Sequence, residues 1–101
     1  PWQHPDSYSG LHLYVIRLKL TEIRASHREV FESLRNQAIG VNLHYIPVHT
    51  QPFYEAMGFA PDDFPESMGY YSEAISIPMY HGLTFEQQDA VVEALKQALL
   101  V

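Results

Sequence analysis

The sequence predicts an α+β domain of two layers, a short three-stranded sheet packed with helices. Three observations point there. One segment alternates like a strand, two segments open with capping boxes and continue at helical spacing, and prolines and glycines cut the remaining apolar runs short. At 101 residues the chain is long enough for one domain with its own core.

Residues 1–10 are polar, hold two prolines and lack apolar periodicity, so they read as a linker, with the domain proper over 11–101. Leu11 to Leu20 is the clearest strand. Tyr14, Ile16, Leu18 and Leu20 share one face, and the other turns from Leu11, Leu13 and Val15 to Arg17 and Lys19. Ser26-His27-Arg28-Glu29 is a capping box. The helix behind it places Val30, Phe31, Leu34, Ala38 and Ile39 on one side, and Gly40 is the expected left-handed stop.

Val41 to Tyr45 is expected as a short strand, cut off by Pro47 because proline has no N–H to give a ladder. Pro52 suits the first position of a short helix over Phe53 to Met57, stopped by Gly58. A second helix is expected from Pro65 to Ala74 with Met68, Tyr71 and Ile75 inward. A third strand follows at Ser76-Ile77-Pro78. Thr84-Phe85-Glu86-Gln87 opens a last helix whose stripe is Val91, Val92, Leu95, Ala98 and Leu99.

Composition narrows the function classes. The net charge of -6, with only six Lys and Arg, argues against a nucleic-acid binder and against unaided binding of a nucleotide diphosphate. There is no cysteine, so disulfides and thiolate chemistry are excluded, and a cytoplasmic location is expected. No run reaches the apolar length of a membrane span. The first residue is Pro1, from which a piece of a longer protein is expected.

His44 and His49 stand five apart with no Glu between them at helical spacing, so no metal site is expected. No Gly-x-Ser-x-Gly elbow and no phosphate-cradling glycine loop are present. General acid or base work by a histidine stays open beside the plainer reading that both imidazoles hydrogen-bond their loop.

Gly40-Val41-Asn42-Leu43-His44-Tyr45-Ile46-Pro47-Val48-His49-Thr50-Gln51-Pro52-Phe53-Tyr54 resembles the C-terminal small domain of the DegT/DnrJ/StrS nucleotide-sugar aminotransferases, which depend on pyridoxal phosphate (PLP). Leu11 to Arg17, Arg28 to Gly40, and Tyr70-Tyr71 through Thr84 resemble the strand, helix and closing strand of the same domain. Within the class, Val41 to His49 is most similar to transaminases acting on a UDP-4-keto sugar on the route to pseudaminic acid.

The resemblance implies the small domain of a fold-type I PLP transferase. It implies amino transfer from an amino acid, glutamate foremost, to a 4-keto nucleotide sugar, in a cytoplasmic homo-oligomer. On matched positions it implies His49 as a substrate contact, with Asn42, His44 and Tyr45 shaping the wall. It also implies a large PLP-binding domain upstream, because Lys19 and Lys96 are the only lysines and neither sits in a pocket-forming pattern. The segment alone is therefore expected to hold no PLP, to contribute no catalytic residue and to transfer no amino group.

Ile46, Val48 and Phe53 are expected bare where the large domain would cover them, and the separated segment is expected to self-associate. A different class of reading is an autonomous α+β interaction module with no catalytic parent. A third, a PLP-dependent sugar dehydratase, shares the architecture and differs in the upstream domain.

Overall fold

The computed structural model describes residues 2–100, so Pro1 of the expected linker and Val101 lie outside the described residues. The element order is strand β1 (Tyr14–Arg17), helix α1 (His27–Asn36), a 3-10 turn (Val48–Thr50), helix α2 (Pro52–Glu55), a second 3-10 turn (Pro61–Asp63), helix α3 (Pro65–Glu73), strand β2 (Ala74–Ile77) and helix α4 (Phe85–Leu99).

The sheet has two strands among the described residues, antiparallel, with Ile16 opposite Ile75 and Tyr14 opposite Ile77. Because side chains alternate, Ile16, Leu18, Ile75 and Ile77 share one face, and all four belong to the core with Val30 and Leu34 of α1 and Ala94 and Ala98 of α4. Val30, Leu34 and Ile75 are wholly buried. Fully burying side chains of this size is worth about 1.5–3 kcal/mol each.

The strand expected over Val41 to Tyr45 is reduced to one bridge, Asn42 opposite Ser76. Asn42 and Ser76 exchange both backbone hydrogen bonds, at 3.1 and 2.8 Å. An antiparallel ladder would next need residues 40 with 78 and 44 with 74. Pro78 has no N–H to offer. The Ala74 N–H donates to the Tyr70 carbonyl at the end of α3, and its carbonyl accepts from His27 Nε2 at 2.8 Å. Both extensions are therefore blocked by groups already spent.

β1 is also shorter than the expected Leu11 to Leu20. Its last ladder bond runs from Leu18 N–H to the Glu73 carbonyl, and beyond Glu73 the partner chain is helix. Leu11 takes a positive φ of 50°, which ends extended backbone on the other side.

Ser26 and Thr84 cap α1 and α4 with the reciprocal bonds of a capping box, as their spacing predicts. The stop of α1 is not Gly40, whose φ is not positive. It is Ala38, at φ 61°. Ala38 N–H donates to the Arg35 carbonyl and Ile39 N–H to the Leu34 carbonyl, both at 3.0 Å, so the helix closes as a Schellman motif. Ending there turns Ile39 back onto Leu34 in the core, a contact that outweighs the left-handed cost of an alanine.

On α4, Val91, Ala94 and Ala98 are buried, and Val92 of the expected stripe is exposed. At 100° per residue Val92 stands at the rim of a stripe centred on 91, 94, 95 and 98. Ala94 takes its place in the core, and its small side chain suits a helix that packs directly on α1.

Candidate functional site

The sequence-predicted residues fall into two clusters, one of them on the side of the sheet away from α1 and α4. The first surrounds Ser76, which is buried on that outer face. Asn42 binds Ser76 through backbone, and its Oδ1 accepts the Leu43 N–H at 2.8 Å, so its side chain is used locally. His44 Nδ1 lies 2.8 Å from the Ser76 hydroxyl. Tyr45 sets its ring edge-on to His44 at 4.7 Å and remains 70% exposed. The His44–Tyr45 peptide is cis.

The second cluster surrounds His49, which is buried at 8% exposure by the turns on both sides of it. Pro47 and Thr50 close the first turn, with the Thr50 N–H and hydroxyl both donating to the Pro47 carbonyl. Pro52 starts α2, and Gly58 at φ 100° returns the chain so that Phe59 meets Tyr54, ring to ring at 6.3 Å. The Ala60 N–H donates to Asp63 Oδ2 at 2.8 Å, which fixes the next turn. That turn presents the Pro61 carbonyl to His49 Nε2 at 3.0 Å.

A carbonyl only accepts, so Nε2 carries the proton. In the neutral ring Nδ1 is then a bare acceptor. Among the described residues Nδ1 takes no hydrogen bond. Phe64 holds the ring edge-on at 4.8 Å. Val48, His49, Tyr54, Phe59, Phe64 and Ser67 line a cavity of about 400 Å³ whose walls are mainly aromatic. The arrangement can place an imidazole acceptor beside apolar rings, a surface suited to an amphipathic ligand.

The structure thus brings Asn42, His44 and Tyr45 together and sets His49 in another cluster, with no hydrogen bond or ring contact joining the two among the described residues. Ser76, Pro61 and Phe64 were not expected as site residues from the sequence. Ser76 had a signal, a hydroxyl inside the apolar run Ala74-Ile75-Ser76-Ile77. The carbonyl of Pro61 had none, because its role depends on a turn that brings it back over twelve residues.

Neither lysine fits the covalent attachment of PLP. Lys19 sits at the surface 3.5 Å from Glu22. Lys96 donates to Glu93 at 2.7 Å, and that bond holds its ammonium pKa above the ordinary value, opposite to what a nucleophilic amine needs. No cluster of three or more His, Asp or Glu able to hold a metal ion occurs among the described residues. No helix among them is long and apolar enough to cross a membrane.

Residues 1–96 match the model of the DegT/DnrJ/EryC1/StrS aminotransferase family. The chain belongs to that family. It is 33% identical over 98 residues to the spore coat polysaccharide biosynthesis protein SpsC of Bacillus subtilis, covering 95% of this chain and 25% of that protein. It is 31% identical over 97 residues to the erythromycin biosynthesis sensory transduction protein EryC1 of Saccharopolyspora erythraea, covering 95% and 25%.

A proposed sugar aminotransferase of Streptococcus pneumoniae, solved in its PMP form, superposes with a TM-score of 0.76 at 26% identity, covering 86% of this chain and 22% of that one. Its PLP form matches at 0.75 and 27%, with the same coverage. The chain therefore spans about a quarter of the length of these relatives.

Proposed function

We propose that this chain is the C-terminal small domain of an enzyme that moves an amino group from an amino acid, glutamate foremost, to the ketone of a 4-keto nucleotide sugar. The narrower reading is the UDP-sugar transaminase of pseudaminic acid synthesis, working in the cytoplasm as a homo-oligomer. The observation that carries the proposal is the match of nearly the whole chain to the sugar aminotransferase family, supported by the superposition on one quarter of a sugar aminotransferase.

PLP, when bound in the whole enzyme, would carry the amino group between donor and sugar. Its lysine and phosphate contacts belong to the large domain, because Lys19 and Lys96 are tied up in surface ion pairs. This chain's part is to shape one wall of the sugar site. His49, with its ring fixed by Pro61 and Phe64, would offer Nδ1 to a sugar hydroxyl or to the incoming amine. Asn42, His44 and Tyr45 would form the neighbouring wall.

The test uses the enzyme encoded by the whole reading frame. Incubated with a UDP-4-keto-6-deoxy-N-acetyl sugar and glutamate, it is expected to give the 4-amino sugar and 2-oxoglutarate, read by mass spectrometry. His49→Asn is expected to lower kcat/KM for the sugar by about tenfold, with PLP absorbance unchanged. Dehydration of the sugar in place of amination would overturn the reaction class. A reading frame with no PLP-binding domain would overturn the whole reading in favour of an interaction module.

A further inference from the structure

Ser76 is the one polar residue of β2, and its side chain leaves the sheet on the face opposite Ile75 and Ile77. The residue is 5% exposed, so its hydroxyl must find a partner within the protein. Its neighbours on that face offer few. Val15 stands directly opposite on β1 and is apolar. Arg17, diagonal to Ser76 on the same strand, can only donate, and its guanidinium binds Glu73 at 2.9 Å. On the other side Asn42 turns its Oδ1 to the Leu43 N–H. His44 lies two residues further along, diagonal to Ser76. Its Nδ1, at 2.8 Å, is the one side-chain partner of the hydroxyl among the described residues.

One placement of the protons satisfies both groups. If Nδ1 carried the proton and donated it, the serine O–H would be a buried donor with no acceptor among the described residues, the costly kind of loss. If the serine O–H donates to a bare Nδ1, neither group is left over. The neutral ring then carries its proton on Nε2. The two nitrogens of an imidazole point in diverging directions, so Nε2 is aimed away from Ser76. It has no hydrogen bond among the described residues, yet no buried side-chain nitrogen there lacks one, so Nε2 is open to the surface. Tyr45, edge-on at 4.7 Å, limits how the ring can turn.

We propose that Ser76 is a positioning residue, which fixes the tautomer of His44 so that its Nε2–H is offered to an uncharged acceptor oxygen of the sugar. His49, with its own Nε2 proton given to Pro61, offers a bare Nδ1, so the two imidazoles present opposite polarities. A sugar hydroxyl or carbonyl suits a neutral N–H donor. A diphosphate is better met by cations. From Asn36 to Leu95 the sequence has no Lys or Arg, and Arg17 is engaged by Glu73. The sugar as ligand rests on the amino-transfer reading, whereas the tautomer rests on the hydrogen bond alone.

The tautomer is read from long-range 1H–15N spectra of the chain labelled with 15N-histidine, at about pH 8.5, where an ordinary imidazole is neutral. His44 is assigned by the signals lost in His44→Gln. Its Nδ1 is expected bare and its Nε2 protonated. Ser76→Ala, which keeps the backbone pairing with Asn42, is expected to move both signals towards the mixed values of a free ring. A protonated Nδ1 in the wild-type chain, or signals unmoved by Ser76→Ala, would overturn the proposal. In the whole enzyme Ser76→Ala is expected to raise KM for the keto sugar about two- to tenfold, with kcat and the KM for glutamate unchanged. Ser76→Thr, which keeps a hydroxyl, is expected to restore both readouts. An unchanged sugar KM in Ser76→Ala, an equal rise for glutamate, or a matching rise in the inhibition constant of UDP alone would each overturn the proposal. A wild-type enzyme that formed no amino sugar would instead overturn the amino-transfer reading, and with it the sugar as the ligand of His44, while the spectra still report the tautomer.

Discussion

The half of the molecule built from β1, β2, α1 and α4 and the arm from Tyr45 to Phe64 spend their apolar residues in opposite ways. In the first, Val30, Leu34 and Ile75 are wholly buried around a shared core. In the second, every residue from Gln51 to Ser67 is exposed, and the rings meet edge to edge without closing a core. The arm keeps its shape through local bonds, Thr50 to Pro47, Ala60 to Asp63 and His49 to Pro61. The difference teaches that order and burial are separable. Turns can hold apolar rings in place without a core beneath them.

The comparison breaks most sharply at the core. Leu34→Ala is expected to lower stability by about 2–5 kcal/mol in urea unfolding. Phe53→Ala on the arm is expected to stay within ~0.5 kcal/mol. Similar losses for both would mean that the arm has a core of its own.

A middle-sized effect is expected at the one buried ring of the arm. His49→Ala removes the bond to Pro61 and should cost about 1–2 kcal/mol. Amide exchange is expected to quicken between Val48 and Phe64 and to stay unchanged in α1 and α4. Uniform quickening would show that the two regions unfold together.

The caps sharpen the helical side. Ser26→Ala is expected to lower stability by ~1 kcal/mol. Glu29 accepts the Ser26 N–H, which, with the Ser26 hydroxyl, holds its pKa below the ordinary 4.5. A carboxylate with a depressed folded-state pKa contributes stability that is fully present above its unfolded value and is lost as pH falls through the folded one. Glu29→Gln should therefore flatten the acid limb of stability below about pH 4.5, and leave its slope near neutrality unchanged.

The smallest expected effect has the opposite sign. Ala38→Gly relieves a left-handed alanine at the end of α1, and a gain of ~0.5–1 kcal/mol is expected in thermal or urea unfolding. A loss would show that Ala38 contributes packing beyond its backbone.

Much of this architecture was written locally. Ser26 with Glu29, Thr84 with Gln87, Pro52 and Gly58 each act within one turn, so their residues sufficed to place α1, α4 and α2. The resemblance of Gly40 to Tyr54 to one family needed only residue order, and residues 1–96 match that family. The exposure of Ile46, Val48 and Phe53 was expected from that resemblance, as a face for an upstream domain to cover, and all three are exposed.

Tertiary structure decided what depended on partners distant in the chain. The strand expected over Val41 to Tyr45 failed because Pro78 and Ala74 could not supply the next ladder bonds, and α1 stopped at Ala38 because Ile39 had to reach Leu34. A hydrogen bond from His49 to its loop was one reading of the sequence, and only the fold shows that Pro61 is the partner that fixes its proton. A hydrogen bond to a distant carbonyl is set by the path of the backbone, which no neighbouring residue announces.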